Sequence, residues 1–301
     1  MNKLSAIIVA KDNPKYLIQS IESIIDWIDD IVIIDIGLSQ VLVDLLSSYK
    51  SVRIIKYLKP VAYVELIREE VKKFAENKYL IYLDPDELID IELRQIILAN
   101  YLKYDYLVIP RKNIFFGKWI EHSRWWPDYQ VRVFKKDKVV WSTIIHSQPK
   151  LKGKGLTIEA QENKALIHYN YDNLDQFIEK LTRYTKVEAT RLINDKKDYD
   201  LITAGRQGIS EFVSRFFVGK GYLDGMHGLV LAFLQIFYYL LVYFYYWEAK
   251  NYQSKEKDLI SIPNKFFSHG LSQVSHWSGQ KTPANKIEKI KYKIIHKIIN
   301  S

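Results

Sequence analysis

Two carboxylates one residue apart, Asp84 and Asp86, stand at the end of an apolar run over residues 79–83, with Pro85 between them and Glu87 directly after. Acids held this way on a stiff turn can both reach one hard cation. Magnesium or manganese bound by few protein oxygens keeps positions for substrate phosphate, so the implied chemistry is a nucleoside diphosphate held through a metal. The same residues also suit a helix start, with Asp86 as the N-cap of a helix from about Leu88 and Glu87 favourable to its dipole. Two more acids, Asp12 and Asp35, follow the apolar runs 4–10 and 30–35. Carboxylates there accept hydrogen bonds from a base or a ribose hydroxyl, although solvated loop acids would look the same. Neither G-x-G-x-x-G nor G-x-x-x-x-G-K-S/T occurs, so phosphate would be held by metal and not by a glycine-rich helix start.

Such acids need a scaffold that brings strand ends together. Short apolar runs at 4–10, 30–35, 52–57 and 79–83 alternate with helical spacing over 14–27, 41–49 and 62–76. Ligands in open sheets of this kind sit past the carboxyl ends of the strands, so the acids fall where a site belongs. The fold class expected is α/β, a doubly wound, mostly parallel sheet with right-handed crossovers. The 301 residues suffice for one large domain and an appended piece. With no cysteine, disulfides, thiolate zinc sites and cysteine nucleophiles are excluded. The N-terminal apolar run is too short for a signal peptide and reads as the first strand.

The second half is richer in aromatic residues. Residues 106–110 and 129–134 read as strands, and between them lie Trp119, Trp125 and Trp126. These rings are candidates for an acceptor-sugar platform, or equally for a hydrophobic cover on the sheet. Arg132 is placed to contact a diphosphate oxygen. An amphipathic helix is expected over 174–192. Residues 229–247 then carry no charge, just enough for a thin bilayer crossing, and residues 286–300 place isoleucines on one helical face and lysines on the other. Net charge is +9, and residues 252–301 hold nine lysines against Glu256, Asp258 and Glu288. An anionic membrane surface fits this pattern better than nucleic acid, for which no binding module accompanies the charge. A single crossing would leave the lysines outside, against the positive-inside rule, so an in-plane or re-entrant helix is favoured; packing on the domain or across a homodimer is the alternative.

The runs L-S-A-I-I-V-A-K, D-W-I-D-D-I-V-I-I-D-I-G and L-I-Y-L-D-P-D-E-L together resemble the inverting family 2 glycosyltransferases of the GT-A fold, in particular the bacterial branch of lipopolysaccharide-core transferases with a D-A-D-E motif. The segment ending G-Y-L-D-G-M-H-G adds to the likeness, which spans residues 3–247. The resemblance implies a nucleotide-sugar donor, a divalent cation and sugar transfer with inversion. It makes Asp84 and Asp86 the metal ligands, and places Asp12, Asp35, Arg68, Asp84 and Arg132 at the donor. It makes Asp128, in W-W-P-D, the general base, although pairing with Arg132 or Arg124 would also account for that acid. A third metal ligand is implied at His146, with His168 as competitor. The family's D-x-G-S-T-D is here Asp35-Ile36-Gly37-Leu38-Ser39-Gln40, and its R-N before the metal strand is Arg68-Glu69.

The organisation expected is a catalytic domain over 1–205, a hydrophobic helical extension over 206–250 and a basic amphipathic tail over 251–301. The function expected is metal-dependent transfer of a sugar to a membrane-proximal or lipid-linked glycan at the cytoplasmic face of the cell membrane. Nucleotidyl or phosphoryl transfer would need a basic phosphate loop that the chain lacks. A decayed transferase fold acting as a membrane-bound glycan-binding or scaffold protein is the alternative, favoured by the degenerate Leu38-Ser39-Gln40.

Overall fold

The computed structural model describes residues 3–61, 63–143, 148–253 and 258–281, together with positions 290, 292, 294, 295 and 297. It divides into two compact units, one of residues 1–114 and 126–170, the other of residues 115–125 and 171–301.

The first unit is built on a sheet whose strands arise where the apolar runs predict them. β1 (Leu4–Ala10), β2 (Asp30–Asp35), β3 (Val52–Lys56) and β4 (Tyr79–Tyr82) line up in the order β3-β2-β1-β4, all parallel. β1 and β2 are buried at every position, as both faces of a parallel sheet demand. α1 (Leu17–Glu22), α2 (Gln40–Ser47), the single turn α3 (Arg68–Val71) and α4 (Ile91–Asn100) connect or follow these strands, and β5 (Glu87–Leu88) is a two-residue strand just past the Asp84 turn. α1 is shorter than the spacing over 14–27 predicts, and the helix expected over 62–76 breaks into short turns at Val64–Leu66, Arg68–Val71 and Lys72–Phe74.

Beyond β4 the sheet turns antiparallel. β6 (Tyr106–Phe115) is followed by the short β7 (Lys118–Trp119), then β8 (Asp128–Lys135), β9 (Val139–Val140), β10 (Lys150–Leu151), β11 (Gly155–Thr157) and β12 (Leu166–Tyr171). β8 inserts between β4 and β6, antiparallel to both, and β12 and β5 complete that edge. The fold is therefore mixed α/β with a mostly parallel half. β9 covers only Val139–Val140, and residues 144–147 lie outside the described set.

At the amino ends of the strands, buried Asp30 draws four donors. It accepts from Ser5 Oγ at 2.5 Å, Arg53 Nε at 2.9 Å, Arg53 Nη2 at 2.6 Å and the Glu76 amide at 2.9 Å. The carboxylate thus ties β1, β2 and β3 to the approach into β4.

The second unit is helical: α5 (Leu174–Asn194), α6 (Leu201–Val213), α7 (Met226–Ala249) and α8 (Ser261–Lys281). Asn173 and Asp200 cap α5 and α6 through side-chain oxygens. Phe177, Leu181, Ala189 and Leu192 of α5 pack with α7 residues Leu231, Leu234, Val242 and Tyr246. The amphipathic face read over 174–192 thus belongs to the helical unit. Most of the tail expected to be amphipathic, residues 286–300, lies outside the described residues.

Asp30→Ala is expected to lower the unfolding free energy by about 2–3 kcal/mol, the scale of losing charged hydrogen bonds at a buried site. Urea denaturation followed by circular dichroism measures it.

Candidate functional site

The turn after β4 meets a ladder of alternating charge supplied by the antiparallel strands. Arg68 of α3 donates from Nη2 to Asp84 Oδ1 at 3.1 Å, and Arg132 of β8 donates from Nη2 to Asp84 Oδ2 at 2.5 Å. The same Arg132 nitrogen lies 2.5 Å from Glu87 Oε1, which also accepts from Arg111 Nη1 at 3.0 Å. Arg111 then grips Asp128 Oδ2 through Nε at 2.8 Å and Nη2 at 2.6 Å. Register explains the last contact, since β6 and β8 place Arg111 opposite Asp128. The alternation Asp128, Gln130, Arg132 on β8, with Arg111 and Asn113 on β6, puts all five side chains on one face.

Arg132 is 1% exposed and Glu87 0%, so their charges are compensated inside the protein and not by water. Burial by itself would raise the Asp84 pKa, but the charges of Arg132, Arg68 and Arg111 pull it well below the usual carboxylate range. Burial likewise disfavours a charged Arg132, and Asp84 and Glu87 outweigh it, raising its pKa. Arg132 Nε and Nη1 are buried without a hydrogen-bond partner among the described residues.

A second chain of contacts reaches Asp86. Asn113 donates from Nδ2 to Asp128 Oδ2 at 3.1 Å, which fixes its amide orientation and leaves Oδ1 facing His168 Nδ1 at 2.6 Å. In the neutral tautomer that meets this acceptor oxygen, the proton sits on Nδ1 and Nε2 carries the lone pair. That lone pair faces Asp86 Oδ2 at 3.6 Å. Two ligand atoms about 2.1 Å from one ion stand about 3 Å apart at a right angle and farther at wider angles, so this pair matches a shared cation. Asp86 and His168 fit a hard divalent metal. Asp84, expected as a ligand, instead has both oxygens on guanidinium groups. Among the described residues no set of three acids and histidines converges as a cage, and His146 lies outside them.

Asp128 accepts four hydrogen bonds, the fourth from Gln130 Nε2 to Oδ1 at 2.7 Å. Burial pushes its pKa up, and Arg111 with the hydrogen bonds from Asn113, Arg111 and Gln130 more than reverses this. It is therefore a firmly ionised carboxylate whose partner is Arg111, not the Arg132 or Arg124 expected from the sequence. Oδ1, with one donor, is its less engaged oxygen.

The nucleoside acids fare differently. Asp35 is buried and its Oδ1 accepts the amides of Gly37 at 2.8 Å and Leu38 at 2.7 Å, so it builds the loop expected to present it to a nucleoside. Asp12 is exposed, at a positive φ of 54°, beside Lys11 at 3.3 Å. The three tryptophans separate: Trp126, joined by a cis bond to Pro127, belongs to the sheet unit, and Trp119 and Trp125 to the helical unit. Trp125 packs there between Phe115, 4.7 Å between centroids, and the Arg215 guanidinium at 4.6 Å. Arg111, Asn113 and Gln130 were not among the residues expected at the site; their spacing of two along β6 and β8 is the signal that marks them.

No family model matches the chain. It is similar to an uncharacterized glycosyltransferase of Rickettsia felis, 22% identical over 246 residues that cover 76% of this chain and 84% of the relative. Among solved structures, S. aureus TarS 1-349 in complex with UDP-GlcNAc aligns at 14% identity and a TM-score of 0.43, covering 94% of this chain and 93% of that one. HddC from Yersinia pseudotuberculosis aligns at 11% identity and a TM-score of 0.35, over 58% of this chain and 96% of that one.

Arg132→Met is expected to destabilise the fold by about 3–5 kcal/mol, because it strands two carboxylates. Adding Glu87→Met should cost less than the sum of the single changes, and a double-mutant cycle in urea measures the difference.

Proposed function

We propose that the chain is an inverting, metal-dependent glycosyltransferase of the family 2 kind, passing a sugar from a nucleotide-diphosphate donor to a glycan or lipid-linked acceptor at the inner face of the cell membrane. The observation that carries this reading is the Asp86–His168 pair, a carboxylate facing an imidazole lone pair beside the buried arginine ladder at the end of β4. The similarity to the Rickettsia felis glycosyltransferase supports it.

In this reading Asp86 and His168 hold a manganese or magnesium ion, whose charge offsets that developing on the departing nucleoside diphosphate. Arg68 and Arg132 supply positive charge at the donor diphosphate, and Asp84 fixes both in place. Asp12 meets the nucleoside. Asp128 Oδ1 takes the proton of the attacking acceptor hydroxyl, and Trp126 is the tryptophan left to stack on the acceptor. Four carboxylates against three guanidinium groups leave one negative charge in excess, which favours a cation before the anionic donor binds.

Thermal unfolding with manganese and UDP, GDP, CMP or dTDP in turn tests the reading. A nucleotide at about a hundred times its dissociation constant adds about 2.7 kcal/mol of stability, a rise of several degrees at this size. One nucleotide should produce the rise, only with metal, and Asp86→Asn and His168→Asn should abolish it without unfolding the protein. No rise with any nucleotide on folded protein would replace the enzyme by a glycan-binding scaffold.

A pH profile checks the base. Asp128 has a lowered pKa in the fold, so it is ionised through the neutral range and activity should fall only as acid protonates it. Arg111→Gln removes the main charge holding that pKa down, and the acid limb of turnover should move to higher pH. An unmoved limb would take the proton-accepting role away from Asp128.

A further inference from the structure

α7 is apolar on the covered side and on the open side alike. Among the described residues it is the one helix long and apolar enough to cross a membrane. A helix of a water-soluble domain turns its large apolar side chains inward and leaves polar ones outside. In α7 the buried side holds Gly228, Leu231, Ala232, Leu234, Val242, Tyr243 and Tyr246. The side left open carries Met226, Val230, Phe233, Phe237, Phe244 and Trp247, with Phe233 47%, Phe237 55% and Phe244 45% exposed. Their spacing of three, four and seven keeps them on one stripe along the helix. No charged residue interrupts it between Met226 and Trp247.

We infer that this stripe is a seat for an anionic lipid surface, with α7 lying in the plane of the interface and not crossing the bilayer. Three observations select lipid as the occupant. The chain after the helix is cationic: Lys220 with Asp224 and Glu248 with Lys250 balance at the two helix ends, and residues 252–301 then add nine lysines against three acids. Exposed Tyr252 packs edge-on against Trp247 at 5.1 Å between centroids, so amphipathic rings mark one end of the stripe, as at a headgroup boundary. The helix is also held along its length by its neighbours. α5 packs on it from Leu231 to Tyr246, and α6 approaches so closely that a Cβ on Gly208 would lie 3.1 Å from the Ile236 backbone. To span a bilayer α7 would have to carry α5 with it, including exposed Glu179, Arg183, Lys186 and Arg191. Hydrocarbon does not accept that face, whereas a shallow seat of one stripe leaves it in water.

The inference deepens the membrane-proximal acceptor reading and is tested without substrate, so its failure leaves nucleotide binding to be judged separately. The chain has no cysteine, so single-site labelling is clean. Met226→Cys, Phe237→Cys, Trp247→Cys and, as control, Arg183→Cys carry an NBD fluorophore and are mixed with phosphatidylglycerol or phosphatidylcholine vesicles. The three stripe positions should shift to the blue on phosphatidylglycerol alone, all at one shallow depth by brominated-lipid quenching, with Arg183→Cys staying aqueous. Depth graded through the bilayer centre from 226 to 247 would mean a spanning helix and overturn the seat. No shift at any stripe position, or a dimer on sizing that Phe233→Glu/Phe237→Glu converts to monomer without vesicle binding by the parent, would overturn it as well. In vesicle sedimentation that double variant should bind at least tenfold more weakly than the parent while keeping its unfolding temperature.

Discussion

One guanidinium organises the sheet unit. Arg132 sits in the middle of a strand, almost free of solvent, with a single nitrogen shared between Asp84 and Glu87. A charge so placed cannot exist without its counter-charges, and the counter-charges cannot be buried without it. The position of β8 follows from this demand: it must lie beside β4 to bring Arg132 to the turn after that strand, and it does so antiparallel. β6 then supplies Arg111 to the other side of Glu87 and holds Asp128 across the register. The turn after the parallel strand β4 contributes Asp84 and Asp86, and the antiparallel strands contribute Glu87, Asp128 and two of the three guanidinium groups that face them.

The same arithmetic explains why the acids divide their work. A D-x-D pair treated as two equal ligands overlooks that one of them can be the anchor of the arginine ladder. Asp84 has both oxygens on guanidinium groups, whereas Asp86, one turn position later, faces an imidazole whose tautomer is dictated from behind by Asn113. The orientation runs back further, since the Asn113 amide is itself set by Asp128. A change at Asp128 therefore reaches Asp86 through two side chains, and loss of function there would not by itself identify a base.

Much of this fold was legible because it is written locally. Residues 4–10, 30–35 and 79–83 are uninterrupted apolar runs and became the fully buried strands of a parallel sheet. The α5 periodicity is equally plain, yet periodicity says that a face is buried and not what covers it, and here α7 covers it. Asp35 illustrates a different limit. A carboxylate after a strand can face a ligand or close its own turn, and the glycine two residues on, at φ 138°, decided for the turn. Arg111 and Asn113 were missed because their importance comes from pairing with residues some fifteen positions away, and the two-residue strands β5, β7, β9 and β10 are too short to leave a pattern.

α7 shows the limit from the other side. Counting apolar residues over 229–247 identifies a hydrophobic segment but cannot separate a bilayer crossing from a core helix or an interfacial one, because all three have the same composition. What separates them is which side chains the neighbouring helices choose to cover. Here they cover Leu231, Leu234 and Val242 and still leave Phe233, Phe237 and Phe244 in the open, on a side where a helix facing water would carry polar residues. An apolar stripe left open in this way is completed by something outside the chain, and with nine lysines against three acids in residues 252–301 that something is anionic as well as apolar.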